Sequence, residues 1–150
     1  MKNSTSDLYK ILLVDDNRDG LLVRRTLLEE FGHAVTIAGN GEEGLRLFLA
    51  GDFDVVVTDH CMPRMDGAQL IERIRAAQPE ARIVLLSGYV EGMGLTEENT
   101  GADIVLMKSA REGLHLLRAV KRLMSATPKR KPAGSQKNPP KLPKMRAAVR

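Results

Sequence analysis

Five side chains able to do chemistry stand at comparable places in this chain, each at the end of a short apolar run. Asp15 and Asp16 follow Lys10-Ile11-Leu12-Leu13-Val14, and Asp59 ends Val55-Val56-Val57-Thr58-Asp59. Ser87 ends Ile83-Val84-Leu85-Leu86-Ser87, and Lys108 follows Ile104-Val105-Leu106-Met107. Aliphatic and β-branched runs bounded by polar turns read as buried strands. If the strands are parallel neighbours, their carboxyl ends share the rim where open parallel sheets form their binding crevice. Carboxylates that close cannot all stay ionised unless a cation joins them, and a hard divalent ion with oxygen ligands is the usual one. Opposite such an ion the Ser87 hydroxyl can donate to one phosphoryl oxygen and the Lys108 ammonium can pair with another. A carboxylate that also ligates the metal can serve as nucleophile, and Asp59 is the first candidate. Taken singly, each residue is a cap, a turn former or a solvated charge. The coincidence of all five at successive strand ends points to chemistry.

The elements that must position them alternate. Asn17 can cap a helix running to about Glu30, with Val23, Leu27 and Phe31 at a spacing of four, Leu28 beside them and Arg24 near the edge of the apolar arc. Gly32 supplies a left-handed stop, and 33–38 reads as a further strand. Asn40-Gly41-Glu42-Glu43 opens a helix carrying Leu45, Phe48 and Leu49 that stops at Gly51. A helix from about Gly67 to Ala77 turns Leu70, Ile71 and Ile74 inward and ends before Pro79, and Glu112 to Met124 forms the last helix. Between them, 89–101 contains Gly92 and Gly94, each costing about 1 kcal/mol in a helix, so a short or mobile helix is expected. Strands alternating with helices imply right-handed crossovers and a parallel α/β sheet covered on both faces.

A length of 150 residues with 43% hydrophobic residues suffices for one domain and its core, with little left for a second. The single cysteine, Cys61, excludes an internal disulfide and any CxxC metal site. Residues 1–7 are polar and lack the apolar core of a signal peptide, no apolar run reaches membrane-spanning length, and a cytoplasmic location is expected. The net charge of +4 conceals an asymmetry, since 127–150 holds eight basic residues and no acid, leaving an acidic body over 8–126. With five prolines among its lysines, 127–150 cannot bury a core and reads as a disordered basic tail.

Residues 8–125 resemble a receiver (CheY-like) domain of a two-component response regulator, in its single-domain form. The resemblance is carried by Ile11-Leu12-Leu13-Val14-Asp15-Asp16, Val57-Thr58-Asp59 with Met62-Pro63 and Asp66-Gly67, Leu86-Ser87-Gly88, and Gly101-Ala102-Asp103 running to Lys108. It implies a flavodoxin-like, doubly wound five-stranded parallel sheet of order 2-1-3-4-5 in an α/β/α sandwich. It also implies that Asp59 accepts a phosphoryl group from a phosphohistidine on a sensor histidine kinase or a histidine phosphotransfer protein. Mg²⁺ would be held directly by Asp16 and Asp59, by Asp15 through water and by the backbone carbonyl of Cys61, while Ser87 and Lys108 would hold the phosphoryl oxygens. The receiver would phosphorylate and dephosphorylate itself without being an enzyme for other substrates.

Two positions depart from the family's pattern. Ser109 follows Lys108 where a cis proline is usual, and a cis bond before a non-proline costs about 2.5–4 kcal/mol, so a trans or strained bond is expected. Val105 stands where an aromatic switch residue is common, so signalling would rest on Ser87, the segment after it, or Tyr89, which could gate hydrolysis. The expected output is a contact with a downstream target protein or a homodimer, biased by phosphorylation. A rival reading gives the basic tail a weak, salt-dependent nucleic-acid or anionic-surface contact, although it has no aromatic residue to stack bases. A phosphatase using Asp59 on small molecules would generally need a second acid where Cys61 stands.

Overall fold

The computed structural model describes residues 8–88 and 94–126. Residues 1–7, Tyr89 and the tail from 127 to 150 lie outside the described residues, and so do the expectations placed on them. Five parallel strands, β1 (Lys10–Val14), β2 (Ala34–Ala38), β3 (Val55–Asp59), β4 (Ile83–Ser87) and β5 (Ile104–Met107), form one sheet in the order β2-β1-β3-β4-β5. The helices are α1 (Arg18–Glu30), α2 (Gly41–Ala50), α3 (Gly67–Ala77), α4 (Glu97–Thr100) and α5 (Glu112–Ser125). The expected fold class and strand order are both present.

Successive strand residues point to opposite faces, so each strand feeds two cores. Leu12, Val14, Val56, Ile83 and Leu85 join Leu70, Ile71 and Ile74 of α3 on one side. Ile11, Leu13, Val55, Val57, Val84 and Leu86 join Leu21 and Leu28 of α1 and Leu116 and Val120 of α5 on the other. Arg75 of α3 is buried as well: its guanidinium donates to the carbonyls of Gly101 (2.8 Å) and Pro79 (2.9 Å) and to Asp103 (3.0 Å). It ties α3 to the turns that lead into β4 and β5.

The helix ends follow local chemistry. Asn17 accepts from the amide of Gly20 at 2.9 Å and Asn40 from that of Glu43 at 2.7 Å, satisfying amides that the first turn leaves without partners. Asp66 and Gln69 form a reciprocal capping box that starts α3 directly after the β3 loop. The segment after β4 supplies only the four residues of α4 within what is described. No peptide bond among the described residues is cis, so Lys108–Ser109 is trans.

Two helix faces differ from the sequence expectation. Val23 and Phe31 were expected inward, but they are 69% and 60% exposed, and α1 buries Leu21, Arg24 and Leu28 instead. A periodicity that counts arginine as polar centres the arc on the wrong side of this helix. In α2, Phe48 is buried while Leu49 is exposed.

Candidate functional site

The order β2-β1-β3 reverses the direction of winding at β1, so the carboxyl ends of β1 and β3 open a crevice between crossovers that leave on opposite faces. Val14 pairs with Thr58, which sets Asp15 and Asp16 beside Asp59. One carboxylate oxygen from each of the three lies within 4.8 Å of the others. Asp59 pairs in register with Leu86 and Ser87 with Met107, so the ends of β4 and β5 continue the same rim. The structure thus brings Asp15, Asp16 and Asp59 together with Lys108 on Asp59, and it places Ser87 at the end of the strand next to β3.

Their surroundings differ. Asp15 is buried, with Oδ1 accepting from the amide of Asn17 at 3.0 Å and Oδ2 from Arg24 Nη1 at 2.7 Å. Asp16 is exposed. Asp59 is buried, and the Lys108 ammonium stands directly against its Oδ1. The Lys108 amide donates to the carbonyl of Ser87 at 2.8 Å. Among the described residues the buried Ser87 hydroxyl has no hydrogen-bond partner, and neither has Nδ1 of His60. Buried polar atoms are rarely left so, and the exceptions call for an explanation.

Two conflicting pulls act on Asp59. Burial pushes its carboxyl above the ordinary carboxylate range, the Lys108 ammonium opposes this, Asp15 adds to it, and burial prevails. Burial also disfavours the charge on Lys108, but Asp59 and Asp15 together hold its ammonium above the ordinary lysine value. The site thus contains a carboxylate short of positive charge beside a lysine that keeps its own. Three carboxylates on one rim are a hard-oxygen donor set of the kind that takes Mg²⁺, so the residues fit a divalent ion.

Where the loop after β3 turns into α3, there is no room for a side chain at Gly67. The Gly67 amide donates to the carbonyl of His60 at 2.8 Å, and a Cβ on Gly67 would lie 2.5 Å from the carbonyl oxygen of Asp59. Cys61, in the same loop, carries an exposed free thiol.

The model of the response regulator receiver domain family matches residues 11–127, nearly the whole of this rim and sheet. The chain belongs to that family. The receiver is 36% identical over 107 residues to a response regulator receiver protein of Anaeromyxobacter sp. (strain Fw109-5), covering 71% of this chain and 40% of that protein. It superposes on the response regulator TrrA of Thermotoga maritima, solved in complex with Mg²⁺-BeF, with a TM-score of 0.70 and 32% identity, over 76% of this chain and 97% of that one. The receiver domain of the sensor histidine kinase PA1611 from Pseudomonas aeruginosa PAO1, solved with magnesium coordinated in the active-site cleft, matches with a TM-score of 0.72 and 25% identity, over 79% of this chain and 98% of that one. The receiver spans less than half the length of several curated relatives that it matches. Among its described residues no helix is long and apolar enough to cross a membrane.

One residue of the rim was not foreseen as part of it. Arg24 was read as a flaw in the apolar face of α1, yet its guanidinium bridges Asp15 and Glu112, a residue 88 positions along the chain. The available signal was an arginine at helical spacing between Leu21 and Leu28, with the acids that draw it inward lying on other elements.

Proposed function

We propose that this receiver takes a phosphoryl group onto Asp59 from a phosphohistidine of a sensor histidine kinase or a histidine phosphotransfer protein. The observation that carries the reading is the buried Asp59 carboxylate flanked by Lys108, with the Ser87 hydroxyl, unpartnered among the described residues, at the end of the next strand. In the transfer an Asp59 oxygen attacks phosphorus and the P–N bond to the donor imidazole breaks. The bonding electron pair stays on the imidazole nitrogen, which takes up a proton. Ser87 then donates to one phosphoryl oxygen, which supplies its missing partner, and the Lys108 ammonium pairs with another.

Mg²⁺ would be held by Asp15, Asp16, Asp59 and the carbonyl of Cys61. It would supply positive charge to the phosphoryl oxygens. Hydrolysis of the aspartyl phosphate on the receiver itself returns the resting carboxylate, and no other substrate is turned over. The output is an altered contact with a target protein or a second copy. The exposed free thiol of Cys61 suits a reducing compartment, and we place the exchange in the cytoplasm.

Intact mass after incubation with Mg²⁺ and acetyl phosphate tests the reading. A single base-labile phosphoryl adduct that requires Mg²⁺ and is absent from Asp59→Asn is expected. An adduct that persists in Asp59→Asn, or none where a control receiver is modified, overturns it.

A further inference from the structure

The acidic rim holds a charged group that phosphoryl acceptance does not use. Arg24 is only 8% exposed, in the middle of α1, with one edge of its guanidinium toward the rim and the other away from it. Nη1 donates to Asp15 Oδ2 at 2.7 Å. Nε and Nη2 clasp the two carboxylate oxygens of Glu112, Nη2 at 3.3 Å. Burial acts against the charge on Arg24, but Glu112 and Asp15 more than restore it, so this is a fixed cation. Asp15 does not depend on Arg24 for its aim, because the Asn17 amide holds its other oxygen at 3.0 Å. Glu112 lies in the first turn of α5, a few residues beyond the lysine that stands on Asp59. Two links therefore run from the carboxylates to the start of α5, one along the chain from Lys108 and one through Arg24.

A guanidinium and a divalent ion beside Asp15 draw on the same negative charge and repel each other, with little screening at a buried position. Glu112, bound to the far edge of Arg24, offsets part of that repulsion. We propose that Arg24 is a built-in competitor of the divalent ion at Asp15, its strength set by Glu112, so that loading of the rim is felt at the first turn of α5. The inference rests on the metal-dependent reading of the site given above. Coupling of this kind is reciprocal: whatever loosens Arg24 from Asp15 strengthens the ion, and the ion loosens Arg24 from Asp15 in return. It gives the receiver a route to α5 that needs no aromatic residue on β5, where Val105 stands.

Arg24 is thus a positioning residue, and a positioning role differs from a scaffold role in the sign of the effects. The experiment is calorimetric titration of Mg²⁺ into the unphosphorylated full chain, with amide NMR of Gly113 and Leu114 followed alongside. Arg24→Met is expected to bind Mg²⁺ more tightly and Glu112→Gln more weakly, each by about fivefold, the lower end of typical coupling between sites. The double variant Arg24→Met/Glu112→Gln leaves no Glu112 charge stranded, and with Asp15 freed of its guanidinium it should stay on the tight side of wild type. It decides the matter if Arg24→Met alone folds poorly. The Gly113 and Leu114 amides should shift with Mg²⁺ in wild type and shift markedly less in the double variant, which keeps only the link through Lys108. Weaker binding in every variant, the mark of a scaffold, would overturn the proposal, and so would α5 amides that respond equally with and without Arg24. Absence of Mg²⁺ binding in wild type would instead sink the reading of the site itself, and this inference with it.

Discussion

Gly67→Ala tests how tightly the acceptor loop is built. The added Cβ would lie 2.5 Å from the Asp59 carbonyl oxygen, 2.8 Å from Leu85 Cδ1 and 2.9 Å from His60 Cα. Two of these neighbours are backbone, in a loop pinned by the Gly67 amide on the His60 carbonyl at 2.8 Å, so little can give way. Overpacking costs about 1–3 kcal/mol, and rigid neighbours favour the upper end. Alanine in place of glycine at the start of α3 returns about 0.5–1 kcal/mol. The net loss is then about 2 kcal/mol, which lowers the urea midpoint by about 1 M for a slope of about 2 kcal/mol per molar. Gly39→Ala is the control, since the nearest atom to its Cβ is Glu43 Oε1 at an ordinary 3.7 Å. Because the displaced carbonyl belongs to the acceptor, phosphorylation of the folded Gly67→Ala protein should slow by about tenfold or more. Equal midpoints for the two variants would refute the packing argument.

Two further outcomes follow from the rim. Burial raises the Asp59 carboxyl in the folded state, so the folded protein holds that proton to higher pH than the unfolded chain. Its contribution to stability is present below the unfolded value of about 4 and is lost as pH rises through the folded one. Asp59→Asn should therefore melt higher than wild type, with a gain that is larger at pH 8 than at pH 5 by differential scanning calorimetry, and a gain independent of pH would contradict the sign. Ser87→Ala removes a buried hydroxyl that has no partner among the described residues, so chemical denaturation should place its stability within about 0.5 kcal/mol of wild type. Its phosphorylation by acetyl phosphate should nonetheless fall by about a hundredfold, the scale of one preorganised donor, and an unchanged rate would exclude Ser87 from the phosphoryl site.

The central strands were legible because each is a short run buried on both sides. In β3 and β4 every residue is buried, so the apolar run and the strand have the same ends. The inward face of α3 was legible for a related reason, since Leu70, Ile71 and Ile74 are its apolar residues at helical spacing and all three are fully buried. For α1 the same reasoning failed, because two carboxylates on other elements draw a charged residue into the position an apolar one would otherwise fill. An ion pair across 88 positions leaves no local trace, and neither does the bare Cβ space at Gly67. The polar ends of the strands were legible as a set, whereas which of their oxygens are already engaged depends on neighbours that no spacing specifies.

That engagement bears on why the rim is stable at rest and responsive when loaded. Four carboxylates, Asp15, Asp16, Asp59 and Glu112, are met by two cations in direct contact, Lys108 on Asp59 and Arg24 between Asp15 and Glu112, so the resting cluster carries about two unmatched negative charges. A divalent ion would balance about that charge, and a phosphoryl group alone would deepen it. The ion thus lessens the repulsion that a phosphoryl group would meet, which favours joint occupancy over the phosphoryl group alone. Lys108 and Arg24 are the two groups that must readjust as this happens, and both are tied to the start of α5, one through the chain and one through Glu112. A receiver with valine on β5 still has its charge balance connected to the first turn of α5, and that connection is made of ions.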